Sequence, residues 1–412
     1  MALRTPDVVT PIGTPLLPGT PIVVFGDDWG RNVSTIQHLF RWIIPDYPVV
    51  WVNGIGHRKP QLSGADLMRA ARKFRAMLGA RRATGALVGG AGYPDPAAIL
   101  QPKVLPWHDH SLVYASNVRA MRREIGRALG ALGTTLAPVI VTGSPPSAGV
   151  VGTLGEAAAV YLCMDDFLHI PSATPSMIGP LEQSLLARVD AVVCTAESLT
   201  RAKVPRSGVA HYLPQGVNYE HLAAPRPLPE ELAHLPRPLI GFVGALYERC
   251  DVQLLRQLAE AFPNGSVVLI GPIQMDTAPL TAPNMHVLGP RPYAALPAYV
   301  QGFDVGIIPY VLSEETLAVD PLKLLEYCAA GVPCVTTALP EARKYAQVVR
   351  VTESRDAFIA GVRAALAEDR GMARARGQAL AREHTWRKRA EVLLRILGAA
   401  VEHHASRARE AP

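Results

Sequence analysis

At 412 residues, with 49% hydrophobic and 18% charged residues, the chain is long enough for two ordinary domains and too apolar to be disordered. A net charge of +6 and a pI near 9.1 suit an anionic partner: a nucleotide, a phospholipid surface or nucleic acid. Only 6% of residues are aromatic and none form a run interleaved with basic residues, which places nucleic acid last of the three.

Five cysteines, with no CxxC and no metal-ligand grouping, predict reduced thiols in a cytosolic chain. No charged-then-apolar leader opens the sequence, and no apolar run approaches the ~18 residues of a spanning helix. Any membrane contact is therefore expected to be peripheral.

Residues 1–20, rich in Pro, Thr and Gly, are expected to be a flexible lead-in. PIVVF at 21–25 is a short strand that ends in the tight loop Gly26-Asp27-Asp28-Trp29-Gly30, followed by a helix over 34–44. VVWVN at 49–53 is the next strand. Ligands of open α/β sheets collect at the carboxyl ends of strands, so the loop holding Asp28 is a candidate site wall; an Asp pair capping a helix is the alternative. Residues 66–82 carry six basic residues on an amphipathic pattern, and Arg119, Arg122, Arg123 and Arg127 mark a second basic helix. Each reads either as a solvated face or as a surface for anionic lipid. His108 and His110, two apart with no third ligand at useful spacing, do not make a metal site.

PVIVT at 138–142 and AVYLCM at 159–164 are further strands. The second ends at Asp165-Asp166, a pair able to share a proton or bind hydroxyls, or simply to cap a helix. A helix over 181–188, a strand over 190–195 and a helix from Ala196 complete a first domain at 21–221. The proline-rich stretch 222–238 reads as a linker. The second domain, 239–385, opens with LIGFV at 239–243 and Gly244, where a glycine lets backbone N–H groups approach a phosphate. SVVLI at 266–270, the stretch 286–289 followed by Arg291-Pro292-Tyr293, a helix over 296–301 and DVGIIP at 304–309 follow.

Residues 320–341, DPLKLLEYCAAGVPCVTTALPE, organise this second half. Asp320 is a good N-cap with Pro321 at the first helical position, Gly331 suits a left-handed helix end, and Cys334-Val335-Thr336 predict a buried parallel strand. Lys323 and Glu326, three apart, share one face of the first turns. They are either an ordinary ion pair, or a lysine for a phosphate beside a carboxylate for a ribose diol.

The run P-L-K-L-L-E-Y-x-A-A-G-x-P-x-V resembles the nucleotide-sugar signature of GT-B glycosyltransferases of the retaining family-four group, and looks most like bacterial members that build exopolysaccharide or teichuronic-type polymers. The resemblance implies an α/β GT-B fold: two Rossmann-like, doubly wound parallel-sheet domains facing a cleft, with a terminal helix from 386 crossing back to the first domain. It implies a donor nucleotide site at Gly244, Arg249, Arg291, Tyr293, Pro321, Leu322, Lys323 and Glu326, with Glu326 on the ribose. Asp28, Asp165 and Asp166 are the catalytic candidates on the first domain. The expected reaction is transfer of a sugar from a nucleotide diphosphate sugar to a saccharide or lipid-linked acceptor, with no cofactor and no metal. Expected partners are therefore donor and acceptor, and anionic membrane at the inner face of the plasma membrane. The chain departs from the family at four places. Ala245 and Cys250 stand where relatives carry an arginine and a lysine, leaving Arg249 as the nearest substitute. Ala318 replaces the first of two paired glutamates, and Met164 or Asp165 falls where a histidine is usual. An epimerase on this scaffold and a catalytically silent sugar-nucleotide-binding subunit are the rival readings.

Overall fold

Runs of β-branched and aliphatic residues supply the strands. The computed structural model describes residues 13–31, 34–58, 94–170 and 173–410. These fall into two compact units: an N-terminal one of residues 13–213 with 390–410, and a C-terminal one of residues 214–389. In the N-terminal unit the described strands are β1 (Ile22–Phe25), β2 (Val49–Val52), β3 (Ala98–Leu100), β4 (Val139–Thr142), β5 (Ala158–Cys163), β6 (Ala191–Cys194) and β7 (Ala210–Tyr212). They form one parallel sheet in the order β3-β2-β1-β4-β5-β6-β7, with Val23 level with Val50 on one side and Ile140 on the other. Every residue of β1, β2, β4, β5 and β6 is buried, the pattern of strands covered on both faces.

The C-terminal unit holds β8 (Leu239–Val243), β9 (Ser266–Ile270), β10 (Met285–Gly289), β11 (Val305–Ile308), β12 (Cys334–Thr337) and β13 (Arg350–Thr352). Its parallel sheet runs β10-β9-β8-β11-β12-β13. In both sheets the order reverses beside the first strand, between β1 and β4 and between β8 and β11. That reversal opens a crevice at the carboxyl ends, where doubly wound folds take their ligands.

The helix Leu322–Ala330 is fixed to the second sheet at this crevice. Tyr327 lies over Gly306 of β11, where any Cβ would come within 2.6 Å of its ring. Its hydroxyl accepts from the Val243 N–H at 3.0 Å and donates to the Ile307 carbonyl at 3.3 Å, so one side chain spans β8 and β11. Gly331 ends the helix at φ 75°, as its sequence position predicts.

Several expectations shift in detail. Asp320 is not the N-cap: the helix starts after Pro321, and the Asp320 carboxylate accepts from the Gln215 N–H at 2.7 Å instead. The helix expected over 34–44 is only Thr35–Phe40, followed by turns. Residues 222–238 lie within the C-terminal unit, where the short helix Glu230–Ala233 buries Leu232. The terminal helix Trp386–Glu410 passes from one unit to the other after Arg389, and the Leu16 N–H donates to its Leu394 carbonyl at 2.9 Å. The basic stretch 66–82 lies outside the described residues.

Candidate functional site

Two groups of polar side chains gather at carboxyl edges, one in each unit. In the C-terminal unit the loops after β8, β9 and β11 meet. The Gly244 N–H donates to the Ile270 carbonyl at 2.8 Å and the Leu246 N–H to the Pro272 carbonyl at 2.9 Å. From the next turn Arg249 reaches Glu315, on the short helix Glu314–Leu317, at 2.5 Å. Its guanidinium also lies over the rings of Tyr247 and Tyr310, 5.0 and 5.3 Å from their centroids. Burial alone would lower the Arg249 pKa, but the facing tyrosines and Glu315 raise it. Arg249 is thus a fixed cation at this edge, and of the two glutamates near Ala318, Glu315 is already engaged by it while Glu314 is exposed.

Lys323 and Glu326 sit on the first turns of the helix that follows, paired at 2.7 Å, with Glu326 only 5% exposed. The ion-pair reading of their spacing therefore describes this structure. The same geometry places an ammonium and a carboxylate at a helix N-terminus facing the carboxyl edge, where displacement of the pair by an anion and a diol is chemically straightforward. Pro321 and Leu322 form the entry to this helix. Arg291 is held by Glu231 at 2.7 Å, by Tyr299 at 3.0 Å and by the Leu288 carbonyl at 2.6 Å, so it braces the loop after β10. Tyr293 stacks on His221 at 4.7 Å with the rings 20° apart.

Behind the helix entry lies a buried charged cluster. Asp320 is 7% exposed, and burial together with the Glu341 carboxylate pushes its pKa up to about 7, against the pull of the Gln215 N–H, Arg389 and Lys344. Arg389 donates to the Gln215 carbonyl at 3.2 Å and also meets His384, and Lys344 pairs with Glu341 at 2.6 Å. A carboxyl raised above its unfolded value near 3.9 favours folding most below that value and withdraws its contribution as pH rises towards 7. Asp320→Asn is accordingly expected to gain stability relative to the parent between pH 4 and pH 7, by about 4 kcal/mol at the upper end. Denaturant titrations at several pH values check it, and parallel curves for the two proteins would refute the assignment.

In the N-terminal unit the loop after β1 brings Asp28 to Arg31 at 3.2 Å, and the Trp29 N–H donates to Asn53 at 2.9 Å. Trp29 packs edge-on against buried Trp51, centroids 4.7 Å apart. After β5 the chain carries Asp165 and Asp166. Asp166 accepts from Lys203 at 3.0 Å, His169 at 2.8 Å and the Leu168 N–H at 3.3 Å. Burial raises its pKa, but the bonds from Lys203 and His169 outweigh that and hold it below the usual carboxylate range. Asp166 is thus held as a carboxylate by Lys203 and His169. Lys203 also binds Glu182 at 2.8 Å, and Glu182 accepts from Tyr161 at 2.8 Å. His57, whose Nε2 lies 2.9 Å from the Ser144 hydroxyl, packs on Phe167 at 4.8 Å; burial and neighbouring His108 press its pKa down to about 4. His108 is buried against the Ile55 carbonyl while His110 precedes the helix Ser111–Ala131, so the two do not converge; among the described residues there is no metal-ligand cluster.

Sequence reasoning missed Lys203, Glu182, His57 and His169. Each acquires its partner across the sheet or within the loop, and Lys203, His57 and His169 stand in no periodic or motif context. Glu182, alone among them, carries a signal: it is a charge on the buried face of an amphipathic helix, between Ile178 and Leu185.

Two doubly wound parallel-sheet domains of this order define the two-domain GT-B fold. Residues 237–368, within the C-terminal unit, match the family Glycosyl transferases group 1. Over 180 residues the chain is 29% identical to the protein of Bacillus subtilis (strain 168) named for teichuronic acid biosynthesis glycosyltransferase TuaH. That match spans 41% of this chain and 45% of the relative, less than half its length. Whole-chain structural likeness extends to an E. coli trehalose-6-phosphate structure bound with UDP-2-fluoro glucose (14% identity, TM-score 0.62, covering 92% of this chain and 99% of that one). Anabaena HepE in complex with UDP is similar at 11% identity and TM-score 0.62, covering 92% and 100%. The sucrose-phosphate synthase of Thermosynechococcus elongatus aligns at 14% identity and TM-score 0.60, covering 95% and 98%. At these identities the likeness is one of fold.

Proposed function

We propose that this protein is a retaining glycosyltransferase that moves a sugar from a nucleotide diphosphate sugar to a hydroxyl of a saccharide or lipid-linked acceptor in cell-surface polysaccharide biosynthesis. The observation that carries the reading is the Lys323–Glu326 pair at a helix N-terminus on the carboxyl edge, inside the stretch that matches the glycosyltransferase family. In this reading Glu326 takes the ribose diol, while Lys323 and the helix N-terminus face the diphosphate. The loop that Gly244 opens lines the same edge beneath the diphosphate, and Tyr293 with Arg291 borders the base. Arg249 adds fixed positive charge where the leaving diphosphate gains negative charge. The protein's own cations thus supply the electrostatic work without a metal. In this reading the donor leaves and the acceptor attacks on the same face, the diphosphate oxygen taking the acceptor proton. Names of relatives that point to teichuronic acid and to UDP complexes support the polymer and nucleotide classes.

A thermal-shift panel of UDP, GDP, ADP and TDP with their common sugar conjugates tests the donor class, because stabilisation grows with ligand concentration over Kd. One nucleotide family is expected to stabilise the chain, and Glu326→Ala to weaken that ligand by ten- to a hundredfold, the loss of hydrogen bonds to a charged group. No shift with any nucleotide, or an unchanged affinity in Glu326→Ala, would defeat the reading. The pairing of Arg249 with Glu315 favours a second reading, a silent nucleotide-binding subunit, in which binding persists but no donor turns over.

The working place follows as part of the proposal: the cytoplasm, against the inner face of the plasma membrane. Among the described residues no helix is long and apolar enough to cross a membrane. The helix Ser111–Ala131 buries Met121 and Ile125 and exposes Arg119, Arg122, Arg123 and Arg127, with Leu112 76% and nearby Trp107 46% exposed. Such a face suits anionic lipid. Co-sedimentation with phosphatidylcholine vesicles is expected only when phosphatidylglycerol is included; no binding to either would remove this part.

A further inference from the structure

We infer that the Glu315 carboxylate is the built-in counter-ion of an oxyanion site at Arg249, and that a ligand of the diphosphate class binds there by taking its place. The inference rests on the donor reading above and adds to it the residue that sets how tightly the anion is held.

Both partners belong to the C-terminal unit and both are fixed by backbone. The Val311 N–H donates to the Arg249 carbonyl at 2.8 Å and the Asp251 N–H to the Pro309 carbonyl at 2.7 Å, so the loops after β8 and β11 run together here. Glu315 follows on the short helix Glu314–Leu317, which has its own cap. The Ser313 N–H donates to the Thr316 hydroxyl at 2.8 Å, and the Thr316 N–H to the Ser313 hydroxyl at 3.3 Å. Buried Thr316 in turn donates to the Val311 carbonyl at 2.5 Å. The carboxylate is therefore held beside the cation by contacts that do not include the ion pair itself.

The pair itself is incomplete. Glu315 Oε1 accepts from Arg249 Nη2 at 2.5 Å, whereas the Arg249 Nε is buried and has no hydrogen-bond partner among the described residues. A guanidinium presents its donors in a planar fork that two oxygens of one phosphate fill together. A carboxylate on one arm of that fork balances the charge but leaves a donor unmet, and a diphosphate improves on it. With its side chain 14% exposed, Arg249 needs a counter-charge whenever no ligand is bound, and Glu315 supplies it. Tyr247 and Tyr310 hold the guanidinium over their rings, so it need not move to change partners. Tyr310 also ties this cation to the carboxylate proposed for the ribose. Burial pushes its hydroxyl up to about 12; Arg249 pulls it down, while Cys250 and Glu326 add to the rise. Arg249 and Glu326 thus act on one side chain, as adjoining diphosphate and ribose groups require.

Pyrophosphate is the probe, since it carries the diphosphate chemistry without a base or a sugar. Its affinity for the full chain is measured by calorimetry at fixed ionic strength. Glu315→Gln keeps an oxygen for Arg249 but removes the charge, and is expected to bind pyrophosphate about tenfold tighter, the release of one charged hydrogen bond. Glu314→Gln makes the same change of charge one residue away, on an exposed side chain, and is expected to shift affinity by less than about twofold. In an Arg249→Gln background, Glu315→Gln is expected to gain nothing. Thermal unfolding followed at Trp386 gives the reciprocal result: Glu315→Gln alone melts below the parent, and saturating pyrophosphate removes the difference. Equal affinity in the parent and Glu315→Gln overturns the inference, as does a gain matched by Glu314→Gln, a gain that persists without Arg249, or no pyrophosphate binding by either protein. Pyrophosphate binding governed by Glu315 in a chain that takes no nucleotide would leave the inference standing and remove the donor reading. Nucleotide binding that Glu315→Gln leaves unchanged would do the reverse.

Discussion

Replacing Lys203 with methionine is expected to destabilise the N-terminal unit by about 3–5 kcal/mol, the cost of removing one partner from a buried charge cluster. The lysine is 6% exposed and lies between Asp166 at 3.0 Å and Glu182 at 2.8 Å. Burial would lower its pKa, but its bonds to Glu182 and Asp166 win and raise it, in step with the lowered pKa of Asp166. Both shifts say that the charged forms stabilise one another here. Methionine matches the stem but leaves the Glu182 carboxylate, 2% exposed, with the Tyr161 hydroxyl and without the ammonium that balances its charge. Adding Glu182→Gln to the variant is expected to recover more than half of the loss, because the amide still accepts from Tyr161 and no charge is left buried. Four of the five tryptophans, at 29, 42, 51 and 107, lie in this unit, so fluorescence-monitored denaturation reports it. A single variant within 1 kcal/mol of the parent would show the cluster to be as dispensable as a surface pair, for which contributions of ~1 kcal/mol or less are usual.

That cluster also marks the limit of what sequence reading reaches. The strands of both sheets were legible because each is a run such as IVVF, VVWV or SVVLI, buried on both faces, and such a run needs no knowledge of its neighbours. The helix at 322–330 was legible because its ending is local: Gly331 takes a left-handed conformation that its own backbone dictates. Asp320 was misjudged for the converse reason. Its local context offers a cap, but the Gln215 N–H, more than a hundred residues away in sequence, competes for the same carboxylate and holds it at 2.7 Å. The stretch 222–238 looked like a linker because prolines erase periodicity, yet Glu231 in it pairs with Arg291 at 2.7 Å. Lys323 and Glu326 stood out by spacing, and the family resemblance gave that spacing a role. Nothing in the sequence distinguishes Lys203 from any other lysine near a helix end; its importance arises only when β5, the helix Pro175–Leu186 and the loop at 166 come together.

Gly271→Ala is expected to cost the C-terminal unit about 3–5 kcal/mol, and to weaken nucleotide binding in whatever fraction remains folded. Gly271 follows β9 with φ +148°, a backbone region that residues with a Cβ avoid at a cost of roughly 1–3 kcal/mol. Its surroundings make matters worse: an added Cβ would lie 1.8 Å from the Gly244 carbonyl oxygen, 2.6 Å from its carbon and 3.3 Å from the Ala245 nitrogen. These are backbone atoms of the neighbouring loop, tied down by the Gly244 N–H bond to Ile270 and the Leu246 N–H bond to Pro272, so no side chain can swing aside. Relief requires moving the Gly244–Ala245 loop away from β9, and that loop leads to Arg249 and is proposed to line the diphosphate site. Gly289 provides the control within the same unit. It too has positive φ, +72°, but nothing lies within 4 Å of its added Cβ, so Gly289→Ala should cost only about 1 kcal/mol and leave nucleotide affinity intact. Trp386, 2% exposed and the one tryptophan of this unit, reports unfolding of both variants. Equal losses at 271 and 289 would mean that backbone conformation alone sets the cost. A much larger loss at 271, with nucleotide affinity falling only there, would tie the close approach of the two loops to the donor site.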